Sequence, residues 1–292
     1  MSDRIYQRIT DLIIGQLATA DPATWVCPWH RTGGGMPVNA LTGRSYRGVN
    51  VLTFWASASG AGYSDSRWAS FRQWGELGAQ VRKGEKGTPC IFYKPLDSRA
   101  GHEASAPRSN GDQSEAVETH FVLRFSTVFN ADQVAGAPPS PEIELSPAAS
   151  HAETAIDRLA ATAGATVIEA RQPSYVPSLD VIRMPCRGAF LSAEGYAGTL
   201  AHEIIHWTGA KHRLDRQLQN RFASRAYAAE ELIAELGAAF LLAKFKLASV
   251  PHPDHASYIA SWISLLRDDP RAIFTAAAHA SRAAEYIAED RR

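Results

Sequence analysis

The side chains best placed to do chemistry form one five-residue run, His202-Glu203-Ile204-Ile205-His206. On an α-helix, residues four apart lie one turn along the axis and on nearly the same face. Both imidazoles then point the same way and can offer neutral nitrogens to one ion. Zinc suits such ligands, and another divalent metal such as Mn2+ is compatible with them. Glu203 stands beside the first histidine, placed to take a proton from a water attacking a carbonyl. The flanks read as helix ends, with Ser192 as a suitable N-cap and Gly209 where a C′ glycine would stop the helix.

A hydrolytic site of this type needs a third protein ligand and an open position. The run YAAEELIAELGAAFLLAKF (227–245) reads as a long helix. Its Glu231 and Glu235 share a face beside the small Ala234 and Ala238, which let a second helix come close. Glu231 is the expected third ligand and Glu235 the acceptor for a ligand histidine N–H, with the reverse assignment as the alternative. Glu230 falls on another face and reads as a solvated helix charge. Tyr196, Tyr227 and His212 are candidates for steadying a developing oxyanion. The chemistry expected of this group is metal-assisted amide hydrolysis, with Glu203 as base and then as acid toward the leaving amine.

A second group mixes cations with aromatic rings. Arg44, Tyr46, Arg47 and Asn50 form one run, and Arg67, Trp68, Arg72 and Gln73 another. Arg82, Lys83 and Lys86 lie in VRKGEKGT, which reads as a basic turn between strands. Cations that track phosphates, alternating with faces on which bases stack, are the ingredients of single-strand binding. The N-terminal half carries no phosphate loop, helix-turn-helix signature or zinc-finger spacing, so no element shaped for a duplex groove is evident. The alternative is that the tryptophans here are core and turn residues, as Trp25 and Trp29 are expected to be.

These groups need elements to hold them. Ile5, Ile9, Ile13 and Leu17 recur every four residues and predict an opening amphipathic helix. VNVLTFW (49–55), CIFY (90–93), FVLRFSTVF (121–129) and DVIRM (180–184) read as strands. A helical stripe at Ala152, Ile156, Leu159 and Ala163 opens the second half, and helices are expected over 194–208, 227–247, 256–267 and 271–288. The proline-rich stretch 138–147 reads as a linker. This gives an α+β N-terminal domain over 1–137, containing a mobile loop at 97–119, and a mainly helical domain with a small sheet over 148–292.

Composition narrows the classes. The chain has 292 residues, and 30 Lys plus Arg balance 30 Asp plus Glu. Residues 1–99 nevertheless hold twelve basic side chains against seven acidic ones, a net of +5 offset by the rest of the chain. Cys27, Cys90 and Cys186 are odd in number and form no CxxC pair, which excludes a disulfide framework and points to a reducing compartment. Asp3 and Asp11 interrupt any apolar leader, and no apolar run approaches a membrane span, so a cytoplasmic protein without membrane contact is expected.

Along most of its length the chain resembles the ArdC antirestriction proteins. The runs GMPVNALTGRSYRGVNVLTFW (35–55), WASFRQWGELGAQVRKGEKGT (68–88) and STVFNADQVAG (126–136) are similar to the N-terminal domain that ArdC shares with TraC-type plasmid primases. SYVPSLDVIRMP (174–185), GYAGTLAHEIIHWTGAKHRLDR (195–216) and YAAEELIAELGAAF (227–240) resemble the zincin-like metallopeptidase domain of ArdC. The resemblance implies a plasmid-encoded protein that binds single-stranded DNA and shields incoming DNA from restriction, with a C-terminal domain similar to SprT-type proteases. A protein substrate among restriction or DNA-bound proteins would follow. Glu231 followed four residues later by Glu235 fits the pattern of zincins whose third ligand is glutamate. The alternative is a non-catalytic single-strand shield whose metallopeptidase-like domain is structural.

Overall fold

The opening four-residue period forms helix α1 (Ser2–Ala18), and Ile9, Ile13 and Leu17 are buried along it. The structure, a computed structural model, describes residues 2–18, 35–95, 121–140, 152–218, 225–247 and 255–289. The loop expected at 97–119, most of the 138–147 linker, and Trp25 and Trp29 lie outside the described residues.

VNVLTFW does not form a strand. It opens helix α2 (Val49–Ala61), which runs from Gly48 (φ 59°) to Gly62 (φ 72°), whose N–H bonds the Ala58 carbonyl. From Val49 to Ala56 all but Asn50 are buried, so neither a two-residue nor a 3.6-residue alternation survives in the sequence. Burial on all sides outranks the β-propensity of valine, phenylalanine and tryptophan.

Helix α2 covers a sheet of β1 (Val38–Asn39), β2 (Arg67–Ser70), β4 (Thr88–Pro95) and β5 (Phe121–Asn130), ordered β1-β2-β5-β4. The β1–β2 pair is parallel and the others antiparallel, with Trp68 opposite Asn130 and Ile91 opposite Phe125. Asn50 reaches from α2 to the edge strand, its amide donating to the Ile91 carbonyl at 2.7 Å and accepting from the Ile91 N–H at 2.8 Å. A short helix α3 (Phe71–Glu76) starts on a Ser70/Gln73 capping box, and β3 (Gln80–Val81) pairs with β6 (Val134–Ala135). The basic run 82–87 connects β3 to β4, as expected.

In the second half, α4 (Ala152–Ala163) precedes a three-stranded sheet of β7 (Thr166–Glu169), β9 (Val181–Met184) and β8 (Ser174–Val176), in that spatial order. Helices α5 (Ala193–Thr208), α6 (Ala226–Lys244), α7 (His255–Asp268) and α8 (Ala272–Ala288) follow. The overall class is α+β, with helices dominating the second half.

The two halves are packed together. One buried cluster contains Ile13 and Leu52 as well as Leu236 and Ile273. Trp55 meets Phe240 with ring centroids 5.7 Å apart, and Tyr6 packs edge-on against Phe274 at 4.6 Å. The Gly48 N–H donates to Ser281 Oγ at 2.8 Å, and Thr10 Oγ1 donates to the Pro270 carbonyl at 2.7 Å.

Candidate metal centre

Helix α5 is capped by Ser192, which accepts from the Gly195 N–H at 3.0 Å. It carries His202, Glu203 and His206 against α6. The helices approach closely because Gly237 lacks a side chain: a Cβ there would lie 2.8 Å from Ile205 Cγ2. Ala234 and Ala238 are buried on the same face. Small residues on α6 thus bring its carboxylates within reach of the imidazoles on α5.

Three donors converge. His202 Nε2 and His206 Nε2 are 3.1 Å apart, and the Glu231 carboxylate lies 3.5 Å from the first and 3.6 Å from the second. Ligands about 2.0–2.2 Å from a tetrahedral ion are separated by roughly 3.3 Å, so this triangle suits one zinc-sized divalent cation. Among the described residues, His202, His206 and Glu231 are the group whose donors gather in this way. Glu235 stands behind them, its Oε2 3.7 Å from His202 Nδ1. Burial alone would depress the His202 pKa, but the Glu231 and Glu235 carboxylates outweigh it and hold the imidazole well above its usual range. Buried carboxylates thus draw a positive charge to the place where a metal would sit, and metal and proton compete for it.

Glu230 corrects the sequence reading. It is half-buried at the end of α5, not a solvated charge: its Oε1 lies 3.1 Å from His206 Nδ1. The Arg216 guanidinium grips the same carboxylate at 2.5 and 2.8 Å and also donates to the Ile205 carbonyl and Thr208 Oγ1. Burial would raise the Glu230 pKa, yet hydrogen bonds from Arg216 and His206 lower it to about 2. An ionised Glu230 accepts the His206 Nδ1 proton and so leaves Nε2 free to ligate. Gly209 serves this contact and not a left-handed cap. Its φ is −73°, and a Cβ there would meet Arg216 Nη2 at 2.7 Å.

The donors open into a cleft of about 460 Å³ whose walls include Glu203, Tyr175, Tyr227, Tyr258 and Trp262. A neighbouring hollow of about 610 Å³ shares Tyr175, His206 and Tyr227 and continues to His212. Of the three oxyanion candidates, Tyr227 lies at the cleft, exposed, with its hydroxyl 3.0 Å from that of Tyr258. Tyr196 does not line it. It is buried and donates to Asp157 Oδ1 at 2.9 Å. His212 lies 3.2 Å from Asp180 in the adjoining hollow. Arg213 pairs with Asp180 at 2.5 Å, bonds the Tyr175 hydroxyl at 3.1 Å, and stacks over Trp207 at 3.8 Å, fixing edge strand β8 to the end of α5. The sequence reading gave Glu230 the wrong surroundings and did not single out Arg216, Tyr258 or Trp262.

Two family descriptions match in series. Residues 3–129 match the N-terminal domain of anti-restriction factor ArdC, and residues 154–279 match a zincin-like metallopeptidase. A crystal structure of the antirestriction ArdC protein from plasmid R388, metal-free, superposes with a TM-score of 0.75 at 36% identity, covering 98% of this chain and 97% of that one. The chain belongs to the ArdC antirestriction family. The Mn(II)-bound structure of the R388 protein superposes with the same TM-score at 35% identity. The Sinorhizobium fredii protein y4eC is 43% identical over 286 residues, covering 97% of this chain and 91% of that protein. Escherichia coli DNA primase TraC is 36% identical over 293 residues, of which this chain spans 27% of the primase.

Within this ArdC-family fold, the expected DNA-contacting residues separate by exposure. Trp68 is 1% exposed and stacks on Phe54 at 4.8 Å, so it presents no face to a base. Tyr46 packs edge-on against Phe54 and donates its hydroxyl to the Trp68 carbonyl, and burial raises its pKa to about 12. Asn50 is committed to Ile91, Gln73 to the α3 cap, and Arg67 to Asp65 and the Pro138 carbonyl. These five hold the fold together because hydrogen-bonding side chains beside buried rings satisfy local backbone first. Arg44, Arg47, Arg72, Arg82, Lys83 and Lys86 are exposed. Arg47 pairs with Glu285, Arg72 with Glu76 and Arg82 with Glu85, surface pairs that a phosphate can displace.

Proposed function

We propose that this protein protects incoming plasmid DNA from restriction in the cytoplasm. Its N-terminal part, residues 1–137, holds single-stranded DNA, and its C-terminal part, residues 148–292, is a divalent-metal-dependent peptidase acting on a DNA-associated protein. The observation that carries the peptidase reading is the triangle of His202, His206 and Glu231 beside buried Glu203 in an open cleft. The names of its relatives support the rest, an antirestriction protein and a DNA primase. Zinc is the expected ion from the ligand set, and the Mn(II) form of the R388 protein makes manganese the comparison to run.

When bound, the ion supplies Lewis acidity toward a carbonyl and lowers the pKa of water. Glu203 takes the proton of the attacking water and returns it to the leaving amine. Tyr227, whose hydroxyl lies at the cleft, donates to the developing oxyanion. The outer edge of β8, which has no second strand partner among the described residues, pairs with an extended peptide and lays it across the cleft. On the DNA side, the exposed cations at 44, 47, 72, 82, 83 and 86 meet phosphates.

The deciding experiment transfers an unmodified conjugative plasmid into restricting recipients expressing either wild type or Glu203→Gln at matched levels. The variant should keep its fold and its metal and lose protection. Full protection by the variant would remove the peptidase from the function and leave a single-strand shield.

A further inference from the structure

A basic groove of about 640 Å³ lies where the two halves meet. Arg44 and Arg47, from the turn before α2, form one side of it. Lys244, in the last turn of α6, faces them from the metallopeptidase-like half. The three cations are exposed, and Arg47 is shared with Glu285, the one acid among the lining residues. Half-buried Met36 contributes apolar surface, backed by the buried ring of Phe240. A polyanion with flat apolar parts fits this combination, because phosphates meet the cations while a base or sugar covers the carbon surface.

We infer that single-stranded DNA runs through this groove and is held by Lys244 of the metallopeptidase-like half together with Arg44 and Arg47. The inference rests on the DNA-binding reading above and extends it, since the strand is then gripped by both halves and not by the N-terminal one alone. Lys244 lies thirteen residues after Glu231 on α6, which at 1.5 Å per residue places the strand roughly 20 Å from the ligand carboxylate. A protein bound to the adjoining stretch of the strand is within reach of the cleft at that distance.

The test is fluorescence anisotropy of a labelled oligothymidylate with the full chain across a salt series. The variants are Lys244→Gln, Arg44→Gln and Arg171→Gln, the last removing one exposed charge that does not line the groove. Each phosphate contact contributes a slope of about −0.7 in log K against log salt, worth about fivefold at 0.1 M. Lys244→Gln and Arg44→Gln should each weaken binding about fivefold and flatten the slope by about 0.7, while Arg171→Gln follows wild type. Wild-type affinity and slope in Lys244→Gln overturn the inference and leave DNA binding intact, with its path on the N-terminal half. Absence of binding by wild type sinks the underlying reading as well.

Discussion

Adjacent glutamates on α6 take different work because a helix turns by about 100° per residue. Glu231 faces the imidazoles, and Glu230 faces the end of α5, where Arg216 fixes it. If Glu230 sets the orientation and tautomer of His206, removing its charge should loosen the metal without unfolding the protein. Glu230→Gln should weaken zinc or manganese binding about 10- to 100-fold, and Arg216→Met should act in the same direction. Competition against a chelator of known affinity reads this directly, and unchanged affinity in both variants would make the Arg216–Glu230 pair a fold contact only. His202, Glu203 and His206 were legible in the sequence because their spacing encodes a shared face on one helix. Glu230 was not, because its partner comes from a loop whose path no helical wheel contains. Gly209 stood out as a glycine, but its reason, room for a guanidinium, exists only in three dimensions.

The α5–α6 contact shows how an element interface sets a chemical distance. Ile205 lies between the two histidines in sequence and packs where Gly237 has no Cβ. Adding a methyl there should force the helices apart and carry Glu231 away from both imidazoles. Gly237→Ala should destabilise the protein by about 1–3 kcal/mol and weaken metal binding at the same time. In the Ile205→Ala background the same change should cost less, so a double-mutant cycle on denaturant midpoints should give a clear coupling energy. Additive effects would mean that the helices absorb the methyl elsewhere. Helix α2 teaches the opposite lesson about legibility. Periodicity revealed α1 and α4, which expose one face, and failed at α2, which is buried on nearly every side and so reads as a mostly apolar run broken only by Asn50 and Thr53.

For the whole molecule, the division into two family domains is not matched by a division of the core. Composition changes along the chain, and the family descriptions match in two blocks, yet Trp55 of α2 packs on Phe240 of α6 inside one buried cluster. Sequence patterns report which face of an element is apolar, but not which distant face covers it, so this docking could not be read in advance. A shared core couples the stabilities of the two parts. Trp55→Ala removes a large buried side chain and should cost about 3–5 kcal/mol. That loss should appear in the metallopeptidase-like half as well as around the mutation. Hydrogen exchange followed by mass spectrometry tests this peptide by peptide. Peptides from α6 and α8 should lose protection in step with those from α2, and chemical denaturation should show one transition. If α6 keeps wild-type protection in the variant, the halves are independent folding units that merely touch, and the DNA-gripping groove would then lie at a hinge rather than within a rigid body.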